Sequence, residues 1–533
     1  VNGAAASALG RLSLLSAVGL SGGAVMTVEL AAVRLLAPDF GSSTSVWTNV
    51  IGVVLTALAL GYALGARWSH APGALARLRL VLVLAGLWIL WLPFVAPMAG
   101  DLFRPERLDL ASALPIVHWG SLATTALVLA PPIVALGTAG PLAVELVQRS
   151  GVVHAGTAGG YVLGASTLGS LVGTFATTHY LVPGIGLRAT FVLAGAVLVA
   201  AALLLGLARR FVLLAGAAAA LAGLLPTATP DVAPGTRLVD WLESPYGQVR
   251  VVAVDDAGAT PLRFLEVGEV CDSYQSVWQP EPGLLPGNFY YNDFCAPLWW
   301  HESTEPRDVR VLIVGLGAGT AFRVLCGAAP AGTRVRAVGI EIDPGVVELA
   351  RRHLDLDHPD LEVVAGHDAR VALRGIEGQF DLVVVDAYAN QFQVPEHLCS
   401  LEFMRELVAR VAPGGWIVSN ASGFDLDDPV VAALAGTLAS AVGREVLALR
   451  VPGTRNVSLH ARVGERGGPT PRDAGFLPAD ERIAALLGTR VVSGAWRLFP
   501  AAGEPLTDDH NPMHRLQLAA LARALGLARA ALP

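Results

Sequence analysis

The chain is short of charge. Of its 533 residues 15% are charged and 53% hydrophobic, and its mean hydropathy is +0.54. A soluble chain of this length carries about 25% charged residues, so the shortage excludes a wholly soluble protein, and the apolar content excludes disorder. A formal net charge of −7 lacks the clustered Lys and Arg of a nucleic-acid surface, so no nucleic acid is expected as partner. Cysteine is scarce as well. Cys271, Cys295, Cys326 and Cys399 make no CxxC pair and no metal-type spacing, so reduced cytosolic thiols and no metal are expected.

What is present falls into two halves that meet near residue 230. Residues 1–225 read as an integral membrane domain of α-helices. Candidate spans cover 12–37, 46–68, 78–99, 118–147, 157–181 and 189–208, each near or above the roughly 20 residues that cross a bilayer. The first run is too long for a cleaved signal peptide and continues through Glu29 and Arg34. Those two stand about 140° apart around a helix, so they do not neutralise each other; Arg34 snorkels towards the interface while Glu29 needs another helix's partner or a proton. Ala57, Gly61 and Gly65, then Gly160 and Gly164, then Ala165, Gly169 and Gly173 place small residues where helix backbones approach. Pro131 and Pro132 predict a kink in the fourth span.

Arg11, Arg67, Arg77, Arg79, Arg149, Arg209 and Arg210 flank alternate span ends. In the loop between spans three and four, Asp101, Glu106 and Asp109 offset Arg104 and Arg107. The positive-inside rule therefore puts the N-terminus and the chain after six spans in the cytoplasm. Segment 211–225 reaches only about 22 Å as a helix, short of a ~30 Å hydrocarbon core, and is expected to be interfacial or re-entrant.

Residues 226–236 (PTATPDVAPGT) are a linker, and 237–305 a small β-rich subdomain with strands at Gln248 to Val254 and Leu262 to Val267. Residues 306–463 alternate strand and helix, the rhythm of a parallel sheet in a Rossmann-like α/β domain; 464–533 form a C-terminal segment whose part 464–480 is loop-like. The strand Val309 to Val314 runs into Gly315, Leu316, Gly317, Ala318, Gly319 and Thr320, where glycines admit a ligand to the strand end. The next strand ends in Glu341, Ile342 and Asp343, an acid placed to accept ribose hydroxyl protons. The third ends near Asp368 and Ala369, placed to accept from an adenine amino group. A dinucleotide fingerprint needs glycine at 320; Thr320 stands there, and no phosphate-binding lysine follows. The set therefore favours S-adenosylmethionine, or its decarboxylated form, over NAD or ATP. The fourth strand delivers Asp386, Ala387 and Tyr388 to the same edge. A carboxylate there orients an amine and accepts its proton, while in-line positioning supplies most of the remaining acceleration.

These residues resemble the spermidine synthase (polyamine aminopropyltransferase) family from about Trp241 to Asn420. The resemblance rests on Glu243, Ser244, Pro245 and Tyr246, Tyr291 with Asp293, the loop 315–319, Glu341 to Asp343, Asp368 with Ala369, and Asp386. The membrane half is similar to bacterial proteins that fuse helices to a spermidine-synthase-like domain, through Glu29, Arg34, Pro38, Gly41 to Ser43, Val46 to Thr48 and Leu58 to Tyr62. Leu506 to Asp509 with Pro512 matches a motif near the end of those proteins. The resemblance implies an S-adenosylmethionine-dependent methyltransferase type of fold. It implies nucleoside and methionine-derived contacts at Gly315, Gly317, Gly319, Glu341, Asp343, Asp368 and Ala369. Tyr246, Gln248, Tyr291, Asp293 and Tyr388 would meet the acceptor substrate, with Asp386 as base. Departures cluster where the family grips its diamine: Ala318 and Ala389 stand for acids, and Gly247 for a glutamine, with Gln248 one place on. A dication would lose carboxylate partners, so Asp293, Asp508 or Asp509 substitutes, or the acceptor is not a simple diamine.

The leading expectation is an aminopropyl transferase in a bacterial inner membrane, its soluble domain cytoplasmic, with a small amine acceptor, the lipid bilayer and, from the family's habit, a homodimer as partners. Methyl or alkyl transfer from S-adenosylmethionine on the same fold is the alternative. A transporter or sensor that binds a polyamine or nucleoside without turnover is a third. Trp299, Trp300 and Phe289 to Tyr291 form an aromatic cluster expected to pack the subdomain.

Overall fold

Long apolar runs satisfy their backbone groups internally as helices, the only open-ended element that hydrocarbon tolerates. The computed structural model describes residues 2–40, 44–102, 119–149, 154–206, 230, 232–233, 235–244, 246–254, 260–267, 274–300, 307–388, 393–464, 466–492 and 495–524. The segment 211–225, most of the linker 226–236, the loop from Arg104 to Asp109, Gly41 to Ser43, Arg209 with Arg210, Pro245, Cys271 and Ala389 lie outside them. The chain forms two compact units, Val1–Thr229 with Gly268–Cys271, and Pro230–Val267 with Asp272–Pro533.

The first unit is a bundle of α1 (Asn2–Phe40), α2 (Thr44–Ser69), α3 (Ala74–Asp101), α4 (Ser121–Gly137), α5 (Ala139–Arg149), α6 (Ala155–Ala176) and α7 (Val182–Leu204). Among the described residues, five stretches are long and apolar enough to cross a membrane: Gly10–Ala37, Val46–Ser69, Ala74–Ala96, Ser121–Arg149 and Gly184–Leu204. The expected span 157–181 is helical, as α6 and a π-helical turn Thr177–Leu181. It is rich in glycine, serine and threonine and is not one of those five stretches.

The small-residue spacing works at two of its three places. A methyl on Gly137 would lie 2.9 Å from the Leu58 carbonyl oxygen and 3.0 Å from Gly61 Cα, and one on Gly23 would lie 3.0 Å from the Gly169 carbonyl oxygen. Gly160 and Gly164 face open space instead. The break in span four falls at Thr138, past the prolines, which α4 contains. Pro132 supplies no hydrogen to the Val128 carbonyl, and the Trp88 indole donates to it instead at 2.9 Å. Arg77 donates to the carbonyls of Trp68 and Pro72, both at 2.6 Å, and Arg79 to that of Leu205 at 2.7 Å. Arg149 reaches the Ser69 carbonyl at 3.5 Å. The ends of α2, α5 and α7 therefore meet at one basic end of the bundle.

The second unit opens with an antiparallel four-stranded sheet of β1 (Thr236–Glu243), β2 (Gln248–Val254), β3 (Leu262–Val267) and β4 (Tyr274–Trp278), in that order. An eight-stranded sheet follows: β5 (Asp308–Val314), β6 (Arg334–Glu341), β7 (Leu361–Ala365), β8 (Phe380–Val385), β9 (Val411–Ser422), β10 (Val446–Arg450), β11 (Asn456–Arg462) and β12 (Trp496–Phe499). Its order is β12-β10-β11-β9-β8-β5-β6-β7. Strands β5 to β9 are parallel, with α8 (Thr320–Ala328), α9 (Pro344–His353), α10 (Ala369–Leu373) and α11 (Leu401–Val408) among their connections, and α12 (Pro429–Val442) leads from β9 to β10. The far end is antiparallel, unlike the all-parallel rhythm: β11 runs antiparallel to β9 and β10, and β10 to β12, and residues 451–455 between β10 and β11 allow only a hairpin there. The C-terminal segment contributes β12, α13 (Glu481–Val492) and α14 (Met513–Ala524).

Alternate residues of β5 feed two cores. Val309, Val311 and Ile313 pack in one with Val249 and Val251 of the small sheet. Leu312 and Val314 pack in the other with Phe403 and Leu434 of α11 and α12. Burial on both faces explains why these strands read as continuous apolar runs.

Candidate active site

Strand order reverses between β5 and β8, and in open α/β sheets that reversal opens a crevice at the carboxyl ends. The loop after β5 lines it. Gly315 and Leu316 both donate to the Ile340 carbonyl, at 3.1 and 2.9 Å, and Asp386 N donates to the Val314 carbonyl at 2.8 Å. Gly315 adopts φ 86°, and a methyl there would lie 2.8 Å from Ala387 Cα. Only glycine serves at that point. Gly317 N donates to Glu341 Oε2 at 2.8 Å, and Ala318 N to Ser276 Oγ at 2.8 Å. Thr320 explains its own presence: its hydroxyl accepts from Val277 N and donates to Val277 O, at 3.0 and 2.9 Å, which sews α8 to β4.

Glu341 also accepts from Asp343 N at 3.0 Å. Burial pushes its carboxyl up to about 6, against the pull of the Asp343 and Gly317 amides. Asp343 is a joint of the scaffold, 3% exposed. Its oxygens accept from Gly345 N at 2.8 Å and Ser244 Oγ at 2.6 Å. Ser244 in turn accepts from Tyr246 N at 3.0 Å, so the turn that carries the exposed Tyr246 is moored to the end of β6. Gln248 opens β2 opposite Glu243. Asp368 caps α10, accepting from Arg370 N and Val371 N at 3.0 and 3.2 Å, with His397 Nε2 at 2.7 Å from its other oxygen. Burial acts to raise this carboxyl, but the His397 bond and the amides outweigh it and hold it below the usual range. Ala369, buried, opens the same helix.

Asp386 leaves β8 between two donors. Tyr290 Oη donates to Oδ2 at 3.0 Å and Asn420 Nδ2 to Oδ1 at 3.1 Å. Burial pushes its carboxyl up to about 6, opposed by those two bonds. Tyr290 stacks on Tyr291 with ring centres 4.1 Å apart, and Tyr291 donates to the Gln275 carbonyl at 2.8 Å. Tyr388 donates to the Asn420 carbonyl and accepts from Ser422 N, both at 2.8 Å.

Asp293 shares the 3₁₀ turn Tyr290–Cys295 with Tyr290 and Tyr291, but its side chain is bonded elsewhere. It is fully buried, ion-paired with Arg490 at 2.9 Å and bonded by Ser458 Oγ at 2.7 Å. Asp508 is likewise held, by Arg370 at 2.8 Å, while Asp509 is exposed. Among the described residues no group of three or more His, Cys, Asp and Glu could hold a metal.

Sequence reasoning passed over Tyr290, except as packing, and over Asn420 and His397. Asn420 had a signal: with Ser419 it forms a polar pair that follows Ile417 and Val418 towards the carboxyl end of β9, beside Asp386. His397 and Tyr290 sit in irregular stretches whose approach only the fold sets.

The glycine cradle at Gly315, with carboxylates at the ends of β6 and β8 and one capping α10 just after β7, defines a Rossmann-like domain of S-adenosylmethionine-dependent methyltransferase type, preceded by a small β-subdomain. No family model matches the chain. It is 31% identical over 409 residues to polyamine aminopropyltransferase 2 of Streptomyces coelicolor, covering 70% of this chain and 68% of that protein. It is 32% identical over 119 residues to a polyamine aminopropyltransferase of Vibrio vulnificus, covering 22% of this chain and 38% of that protein. A probable spermidine synthase from Corynebacterium glutamicum superposes with a TM-score of 0.37 and 17% identity, over 57% of this chain and 100% of that one. The chain belongs to the polyamine aminopropyltransferase family, the spermidine-synthase-like enzymes.

Proposed function

We propose that the chain is a membrane-integrated transferase that moves an aminopropyl group from decarboxylated S-adenosylmethionine to an amine acceptor, with Asp386 as the orienting base. The observation that carries this is the Asp386 carboxylate, fixed by Tyr290 and Asn420 beside the glycine cradle.

The residues fit an adenosyl sulfonium. Gly315 lets the loop after β5 lie against the Asp386–Ala387 backbone, where a methyl would come within 2.8 Å of Ala387 Cα, and the acids at the crevice suit hydroxyls, an amino group and a positive sulfur. When bound, the donor supplies an activated carbon and a neutral thioether as leaving group. Glu341, each oxygen already fixed by one amide, retains lone pairs for ribose hydroxyls, and Asp368 retains one for adenine. Asp386 does the work on the acceptor. Its two donors set the carboxylate plane, and each oxygen keeps a lone pair for an amine hydrogen. A base near pKa 6 is ionised at neutral pH yet binds a proton more strongly than a free carboxylate. It takes the ammonium proton, and the freed nitrogen lone pair forms the new C–N bond as the C–S bond breaks, its electron pair passing to sulfur. Tyr246, Gln248, Tyr291 and Tyr388 would border the acceptor. The helical unit would anchor the enzyme in the bilayer with its basic end in the cytoplasm.

Full-length protein given the decarboxylated donor and an amine pool is expected to release methylthioadenosine, and Asp386→Asn to lower that release by about 10²- to 10⁴-fold. Release of S-adenosylhomocysteine from S-adenosylmethionine would instead establish methyl transfer. Binding with neither product, coupled to polyamine flux in vesicles, would establish a transporter.

A further inference from the structure

The motif from Leu506 to Asp509 takes no part in the proposed transfer step, yet it is bonded to the nucleoside side of the site. Leu401 N donates to the Leu506 carbonyl at 2.7 Å, Asp508 N to Glu402 Oε2 at 3.0 Å, and Asn511 Nδ2 to the Glu396 carbonyl at 2.8 Å. These bonds bracket the turn 396–401. Arg370, in the first turn of α10, closes the bracket. It donates to both oxygens of Asp508 at 2.8 Å, to Glu406 at 3.0 and 2.8 Å, and to the His397 carbonyl at 3.3 Å. A bidentate guanidinium–carboxylate pair fixes direction as well as distance. The Arg370 side chain is only 15% exposed.

His397 Nε2 then donates to Asp368 at 2.7 Å. A carboxylate has about four lone-pair sites. Two capping amides occupy one oxygen of Asp368 and His397 takes one site of the other. One acceptor site remains, its direction set by the other three bonds.

We propose that residues 506–511 form a clasp which, through Arg370 and His397, aims the free acceptor site of Asp368 at the amino group of a 6-aminopurine. Asp508, Arg370 and His397 are thus positioning residues that set the preference for an aminopurine donor over an oxopurine one. The inference rests on the assignment of Asp368 to adenine.

The test is calorimetric titration of full-length protein with 5′-methylthioadenosine and 5′-methylthioinosine, whose exocyclic oxygen accepts where adenine donates. Wild type is expected to bind the adenosine compound at least about tenfold more tightly, the worth of one oriented hydrogen bond to a charged group. Asp508→Asn, Arg370→Lys and His397→Ala each bring that ratio towards one, chiefly by weakening the adenosine compound. Asp509→Asn, adjacent and exposed, keeps the wild-type ratio. A wild-type ratio that survives in the three clasp variants, even with both affinities and thermal stability lowered together, overturns the clasp. Wild type that binds the two compounds equally also overturns it. Wild type that binds neither overturns the nucleoside reading itself.

Discussion

Tyr290 and Asp386 lie 96 positions apart and meet through one hydrogen bond, phenol oxygen to carboxylate Oδ2, 3.0 Å long. The bond joins a short 3₁₀ turn, Tyr290–Cys295, to the end of β8. It acts on the carboxylate proposed as the base: a donor to a carboxylate favours its charged form, against the burial that pushes Asp386 up to about 6.

Tyr290→Phe removes that donor and keeps the ring stacked on Tyr291. The Asp386 carboxyl then titrates higher, by about one unit if the bond is worth ~1.5 kcal/mol. The acid limb of the pH–kcat/KM profile is expected to move upward by that amount. Methylthioadenosine release at pH 6 falls more than at pH 8. A limb that stays in place refutes the role given to Tyr290.

The raised carboxyl of Asp386 also bears on stability. Between its unfolded value of 3.8 and its folded value of about 6, the native state holds a proton that the unfolded chain has lost. Stability from this group therefore declines as pH rises through that window. Relative to wild type, Asp386→Asn is expected to gain up to about 3 kcal/mol between pH 4 and pH 8. Denaturant midpoints of the two proteins across that range check the sign, and the comparison cancels the carboxylates they share.

Arg490 and Asp293 are both fully buried, and removal of one leaves the other as an unpaired charge. Arg490→Met is expected to cost about 3–5 kcal/mol. The double variant with Asp293→Asn recovers part of that cost. Thermal unfolding measures both, and additive effects would show that the pair is not coupled.

In the helical unit the glycine contacts separate two otherwise similar substitutions. Gly137→Ala places a methyl 2.9 Å from the Leu58 carbonyl oxygen, whereas Gly164→Ala meets nothing within 4 Å. The first is expected to lower the midpoint of thermal unfolding in detergent by several degrees, a loss of about 1–3 kcal/mol from overpacking. The second leaves it unchanged.

Much of the site could be read along the chain because of one topological fact. In a parallel sheet the carboxyl ends of successive strands share an edge, so a glycine loop after β5, an acid at the end of β6, another just past β7 and a third after β8 converge without any further information. Gly315, Glu341, Asp368 and Asp386 were legible for that reason. Asp293 read as an acceptor ligand because its residue type and place matched the family pattern. Its partner, Arg490, stands 197 positions away, and no local signal announces it. The place of β12 beside β10 was hidden in the same way, since it comes from beyond a loop-like stretch.

The two-part character of the protein, the helices and the strand-end acids are written in the residue order, because periodicity and strand-end position are local properties. Which acids remain open and which are locked follows from the folded chain: Asp386 between Tyr290 and Asn420, Asp293 under Arg490, Asp508 on Arg370. Those pairings depend on how distant loops and the C-terminal segment cross the sheet, and a hydrogen bond of about 3 Å has no trace in residue spacing.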